Sequence, residues 1–138
     1  MEDAVTVLTR MLHAIDELDW PVVRACLADE VRTDYTSLFG GTAETVSGDE
    51  LVSRWQSLLP GFAATQHLTG PVDLEGSVAR THVRAHHWMA DGDRWTVYGH
   101  YVVRLVDGRI GELTLRTFWQ DGNQDLPTIA AKNPNRRG

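Results

Sequence analysis

The chain has 138 residues, 42% of them hydrophobic and 23% charged, with a formal net charge of -6. That length suits one domain around a single core, and no apolar run approaches the about 18 residues a membrane span needs. The negative balance opposes nucleic acid as a partner, since the one basic cluster, Lys132 with Arg136 and Arg137, lies in the polar end of the chain.

From Asp3 to Leu18 the residues Val5, Leu8, Met11, Leu12, Ile15 and Leu18 recur at spacings of three and four, which predicts an amphipathic helix. Met1-Glu2-Asp3 does not read as a secretory leader, so cytoplasmic is the expected location. Asp19 caps a second helix, with Pro21 in its first turn and Val22, Val23, Cys26 and Leu27 on its buried side, ending near Asp29. The single cysteine, Cys26, reads there as a small packing residue. Val31 to Thr36 alternates as a short strand before the Gly40-Gly41 loop. Ser47 and Glu50 form a capping box for a third helix through Leu51, Val52, Trp55, Leu58 and Leu59, stopped by Pro60-Gly61.

Beyond it, Glu75-Gly76, Asp91-Gly92, Asp107-Gly108 and Asp121-Gly122 punctuate long runs, Val78 to Ala90, Trp95 to Val106 and Ile110 to Gln120, rich in Val, Thr, Tyr, Trp and Leu. Acidic-Gly pairs suit tight hairpin turns, so these runs predict an antiparallel meander whose first strand spans Phe62 to Leu74 with Pro71 at a bend or bulge. Strands of about a dozen residues must twist and curl. The expected fold is α+β: a cone-shaped curved antiparallel sheet, approaching a barrel, wrapped around three N-terminal helices. Residues 1–123 form the expected domain, and 124–138, without periodicity, a partly flexible tail.

Such a cone encloses a pocket, and six histidines, His13, His67, His82, His86, His87 and His100, supply groups suited to proton transfer near neutral pH. Asp34 in Thr33-Asp34-Tyr35-Thr36 is either a partner for one of them or the cap of a loop. His86 and His87 must point to opposite faces. Polarity alone turns His87, in line with Val83 and Ala85, toward the core, whereas a polar-lined pocket would take His86 instead. His82 and His86 lie about 13 Å apart along a strand, too far to share one ion, and neither a P-loop nor a G-x-S-x-G elbow is present, so no metal or other cofactor is expected. Trp55, Trp88, Trp95, Tyr98, Tyr101, Phe118 and Trp119 are available to hold an apolar ring or to fill the core.

Taken in order, Val31-x-x-Asp34-Tyr35-Thr36, Gln66-His67-x-x-Gly70, Gly76, Ala79, Ala85-His86, Gly99-x-Tyr101 and Gly108-Arg109-Ile110 resemble the SnoaL-like group of the nuclear transport factor 2-like superfamily. That superfamily includes scytalone dehydratase, bile-acid dehydratases, ketosteroid isomerase and polyketide cyclases. The resemblance implies a catalytic Asp34, His67 and His86, with Asp34 orienting His86, and a substrate cradle of Tyr35, Leu38, Phe39, Trp55, Trp88, Tyr98 and Trp119. Tyr35 follows the Asp, so strand alternation would turn it from the pocket.

The implied activity is that of a cofactor-independent dehydratase or isomerase on a small apolar cyclic ketone or hydroxy-ketone, such as a polyketide, terpenoid or steroid-like compound. An aldol cyclase in the same pocket, or a non-catalytic binding or assembly module, are the alternatives; the enzymatic reading requires the three polar groups to meet around one enclosed ligand. An apolar convex face containing Tyr35, Val97, Tyr101 and Val103 would make the chain a homodimer or trimer.

Overall fold

The computed structural model describes residues 1–137; Gly138, the last residue of the expected tail, lies outside them. Helix α1 (Ala4–Asp16) starts where Asp3 accepts the Thr6 N–H at 2.9 Å, and it buries Val7, Leu8, Met11, Leu12 and Ile15 as the spacing predicts. It stops because Leu18 adopts φ 56°, a left-handed turn that sends the Asp19 N–H back to the Ala14 carbonyl. Asp19 then caps α2 (Trp20–Cys26), with Pro21 in the first turn.

Strand β1 (Leu27–Asp34) follows at once, four residues earlier than the alternation suggests. It ends at Asp34 because Tyr35 leaves extended geometry, with φ -115° and ψ 20°, and opens the short helix α3 (Thr36–Phe39). Strand β2 (Glu44–Ser47), not anticipated, pairs back onto β1, and the Ser47 hydroxyl caps α4 (Gly48–Leu58) as the capping box predicts. Leu59–Gly61 forms one 3₁₀ turn.

The meander follows as β3 (Ala64–Glu75), β4 (Val78–Trp88), β5 (Arg94–Val106) and β6 (Arg109–Gly122). Asp107 and Gly108 both take positive φ, 52° and 78°, which is what the two-residue turn joining β5 to β6 demands. The ladder of β3 shifts register between Thr69 and Val72, around Pro71, so the proline sits at a bulge on an edge strand.

Six strands line up in the order β2-β1-β6-β5-β4-β3. Every pairing is antiparallel except β1 with β6, which is parallel, so the curved sheet is mixed, and it stays open with β2 and β3 as its edges instead of closing into a barrel. The α+β cone is as expected; its seam is not.

Cross-strand pairs sort the faces. His67 pairs with Ala85, Thr65 with His87, His87 with Trp95, Ala85 with Val97 and Thr81 with Tyr101, and this set faces the helices. Gln66, His82, Arg84, His86, Trp88, Tyr98 and His100 take the opposite face. Tyr101 and Val97 are therefore interior and Val103 is fully buried, which removes the convex patch assigned to them; the exposed apolar side chains on the outer side are Leu68, Phe118 and Trp119.

After Asn123 the chain does not trail off. Helix α5 (Leu126–Ala131) buries Leu126 and Ala130, Asn133 Nδ2 donates to the Gly61 carbonyl at 2.9 Å, and the Arg137 backbone N–H donates to Pro60 at 2.8 Å. Residues 124–137 thus pack on the 3₁₀ turn, with a helix that the loss of periodicity did not announce. No helix among the described residues is long and apolar enough to cross a membrane.

Candidate active site

Between the concave face and the helices lies a cavity of about 300 Å³. Met11 and Ile15 of α1, Leu51, Trp55 and Leu58 of α4, and Val97 and Leu115 of the sheet form its apolar wall. Leu38 and Phe39 of α3 make the rim, where Glu44 and Arg54 also stand.

His67, on the cavity wall, belongs to a pair the sequence reading did not foresee. Asp16, the last residue of α1, receives three hydrogen bonds from β3: the Thr65 hydroxyl at 3.0 Å, the His67 backbone N–H at 2.8 Å, and the His67 ring at 2.7 Å from Nδ1. Burial by itself would raise the Asp16 pKa, but the His67 ring, its charge, its backbone N–H and Thr65 together outweigh that and hold the carboxyl below its ordinary value. An ionised carboxylate only accepts, so Nδ1 carries a proton, and the His67 ring lines the cavity.

Two tyrosines complete the polar set. Tyr35, swung inward by its non-extended backbone, and Tyr101 of β5 both line the cavity. Burial raises both well above ordinary phenols; the neighbouring Tyr101 raises Tyr35 further, and the Asp16 charge raises Tyr101, so both stay protonated.

His87 also lines the cavity. It is sandwiched between Trp95, at 4.3 Å between ring centroids, and Phe62, at 4.9 Å, and its Nδ1 meets the Trp95 carbonyl at 2.9 Å. A carbonyl accepts only, so Nδ1 is the donor and Nε2 an acceptor. Burial, helped by the neighbouring His67, pushes its pKa down to about 3. It is a neutral imidazole at any ordinary pH.

The triad Asp34, His67 and His86 is not assembled. Asp34 ends β1 on the outer face, where its Oδ1 accepts the Thr36 hydroxyl at 2.7 Å and the Thr36 N–H at 3.1 Å; these two bonds lower its pKa. It is the loop cap, beside a shallow polar hollow with Arg32, Arg80, Arg104 and Glu112. His86 points outward too, its Nδ1 3.0 Å from the Thr96 hydroxyl and its ring 5.7 Å from Trp88, with its pKa lowered by burial and by Arg84. Polarity had the facing right: His87, not His86, is interior.

Of the expected cradle, Tyr35, Leu38, Phe39 and Trp55 line the cavity. Trp88, Tyr98 and Trp119 do not. Trp88 shares the outer face with His86, Tyr98 lies under Arg84 and donates to Asp121 at 3.1 Å, and Trp119 is 63% exposed. Asp16 did leave a trace in the sequence: it stands four residues after Leu12 and eight after Leu8, where the apolar stripe of α1 calls for another hydrophobe. Among the described residues, no group of three or more His, Cys, Asp and Glu is arranged to hold a metal ion.

Among solved structures, the chain is similar to the Kfla4162 protein from Kribbella flavida, at 24% identity over 90% of this chain and 93% of that one, with a TM-score of 0.78. It is similar also to Delta 5-3-ketosteroid isomerase from Mycobacterium sp., at 14% identity over 86% and 97% with a TM-score of 0.71, and to an LEH-like epoxide hydrolase from M. tuberculosis, at 16% over 93% and 88% with a TM-score of 0.68. At such identities the likeness is one of fold. No curated protein matches the sequence. The description of the SnoaL-like domain matches residues 1–109, a span that holds α1 with Asp16, the bent end of β1 with Tyr35, and the His67, His87 and Tyr101 strands, so the chain belongs to the SnoaL-like domain family.

Proposed function

We propose that the protein is a general acid–base enzyme, a dehydratase or isomerase of a small cyclic ketone or hydroxy-ketone, working through His67. The observation that carries this is the Asp16–His67 pair, whose imidazole lines the cavity. The cavity is roomy instead of filled by its aromatic residues, which favours an enzyme over a purely structural module.

In this scheme the His67 Nε2 lone pair takes a proton from the carbon next to the substrate carbonyl, and Asp16 steadies the resulting imidazolium through Nδ1. The carbonyl oxygen, becoming an enolate, is met by the Tyr35 and Tyr101 hydroxyls, whose raised pKa values keep them as donors. The imidazolium then returns its proton, either to a hydroxyl that departs as water or to another carbon of the enolate. His87 cannot be the acid, because its one N–H is spent on the Trp95 carbonyl and its pKa is about 3. One histidine thus both takes and gives the proton, where the sequence reading had shared the work between two.

Exchange in D₂O tests the scheme without knowledge of the physiological substrate. The protein should speed deuterium uptake at the α-carbon of one- and two-ring ketones and hydroxy-ketones, read by mass spectrometry, and His67→Gln should abolish the effect. Exchange that persists in His67→Gln, or none above the buffer rate across the set, removes the proposal.

A further inference from the structure

The exposed residues of the cavity lining, Phe39, Gly40, Thr42, Glu44 and Arg54, mark where it opens to solvent. One stretch of chain crosses that mouth, and it is held at its two ends. At the near end the Ser37 hydroxyl pins α3 to β6, donating to the Leu115 carbonyl at 2.9 Å and accepting the Thr117 N–H at 2.9 Å. At the far end Glu44 is held twice: its carbonyl accepts the Thr33 hydroxyl at 3.2 Å, and its carboxylate accepts from Arg54 Nη1 at 2.5 Å. Between these pins, the N–H groups of Gly41, Thr42 and Ala43 meet no backbone carbonyl among the described residues.

The backbone there is suited to bending. Gly40 has φ 72° and ψ -157°, a region closed to residues with a side chain, and Gly41 follows at φ 76°. A Cβ added at either position would meet nothing within 4 Å, so conformation and not space calls for glycine.

Phe39 stands just before this pair and is 58% exposed, although it lines a cavity with an apolar wall. A ring half in water at such a mouth gains by moving onto an apolar surface, and an occupant of the cavity supplies one. With no occupant beneath it, the same inward position would give the ring few atoms to touch. Closure is therefore favoured by the ligand itself, which is the condition for a ligand to shift the population toward the closed arrangement.

We propose that residues 38–43 form a lid that closes on the occupant of the cavity, with Phe39 as its inner face and Gly40-Gly41 as its hinge. The proposal rests on the cavity being the ligand site, as in the reading above, and on none of its acid–base chemistry.

Prodan, an uncharged two-ring aromatic ketone whose emission reports polarity, is the probe, with stopped-flow fluorescence for its rates and mass spectrometry for amide hydrogen exchange. With saturating prodan the amides of residues 38–43 should exchange at least about threefold more slowly, while those of Leu115 and Thr117 in β6 keep the same protection with and without it. Phe39→Ala removes a largely exposed ring, so the fold is kept, as a melting curve verifies, and prodan should leave about tenfold faster with little change in its association rate. Gly40→Ala, which fills only open space, should lose the exchange protection that prodan confers on the parent chain. Release that ignores Phe39, or amides of residues 38–43 that exchange alike with and without prodan, would show a fixed rim and overturn the proposal, as would failure of prodan to bind. Lid ordering without α-carbon exchange sinks the acid–base reading alone; α-carbon exchange with a fixed rim sinks the lid alone.

Discussion

One carboxylate of Asp16 grips His67 twice, Oδ2 taking its backbone N–H at 2.8 Å and Oδ1 its ring Nδ1–H at 2.7 Å. The strand and the imidazole it carries are therefore set by the same group. Removing either partner should disable the base: His67→Gln and Asp16→Asn are each expected to lower α-carbon exchange by about 10²- to 10⁴-fold. Because the two act as one unit, the double variant should be little worse than the poorer single one. Additive losses in initial-rate measurements would show that they act separately.

His87 makes acid stability a measurable quantity. Its folded pKa of about 3 lies below the ordinary 6.5, so between those values the unfolded chain binds the extra proton. Its contribution is complete above about pH 6.5 and declines as pH falls toward 3, by about 1.4 kcal/mol per pH unit. Urea unfolding at several pH values should show this slope, and His87→Leu should flatten it by close to one proton. An unchanged slope in the variant would place the linkage elsewhere.

The tyrosine pair is expected to act on the transition state more than on binding. Tyr101→Phe and Tyr35→Phe should each lower kcat by about 10²- to 10³-fold with a smaller change in KM. A rise in KM alone would make them binding groups only.

Asp34 and His86 serve as controls because both lie off the cavity. Asp34→Asn and His86→Ala should leave exchange at the parent rate. A large loss in either would mean that the outer face takes part in the reaction.

Leu126 tests the packing of the C-terminal segment. It is 1% exposed beneath the 3₁₀ turn, so Leu126→Ala should cost about 2 to 5 kcal/mol in chemical denaturation. A cost near zero would return residues 124–137 to the status of a loose tail.

Helices α1, α2 and α4, the capping box, the Asp107-Gly108 turn and the Pro71 bulge were legible because each is a local rule written in a few neighbouring residues. Facing along β4 was legible too: alternation put His87 with Val83 and Ala85, and the structure keeps it there. Analogy with family motifs favoured His86 instead, by assuming that the acidic partner came from β1. What escaped the sequence was non-local or depended on a single bond rotation. Tyr35 enters the cavity because the strand stops one residue before it, which no periodicity announces. Asp16 and His67 are 51 positions apart, and only the packing of α1 on β3 makes them neighbours. The packing of the C-terminal segment escaped for a similar reason, since its hydrogen bonds end on carbonyls of Leu59, Pro60 and Gly61 far back in the chain.

Asp16 closes the last turn of α1, the end of a helix where unsatisfied carbonyls disfavour an anion. It stays ionised there through the three donors that β3 presents to it. Any change that pries the helix from that strand would part the carboxylate from the ring it orients, so a loosened seam should abolish the proposed α-carbon exchange at temperatures where the rest of the fold is still intact.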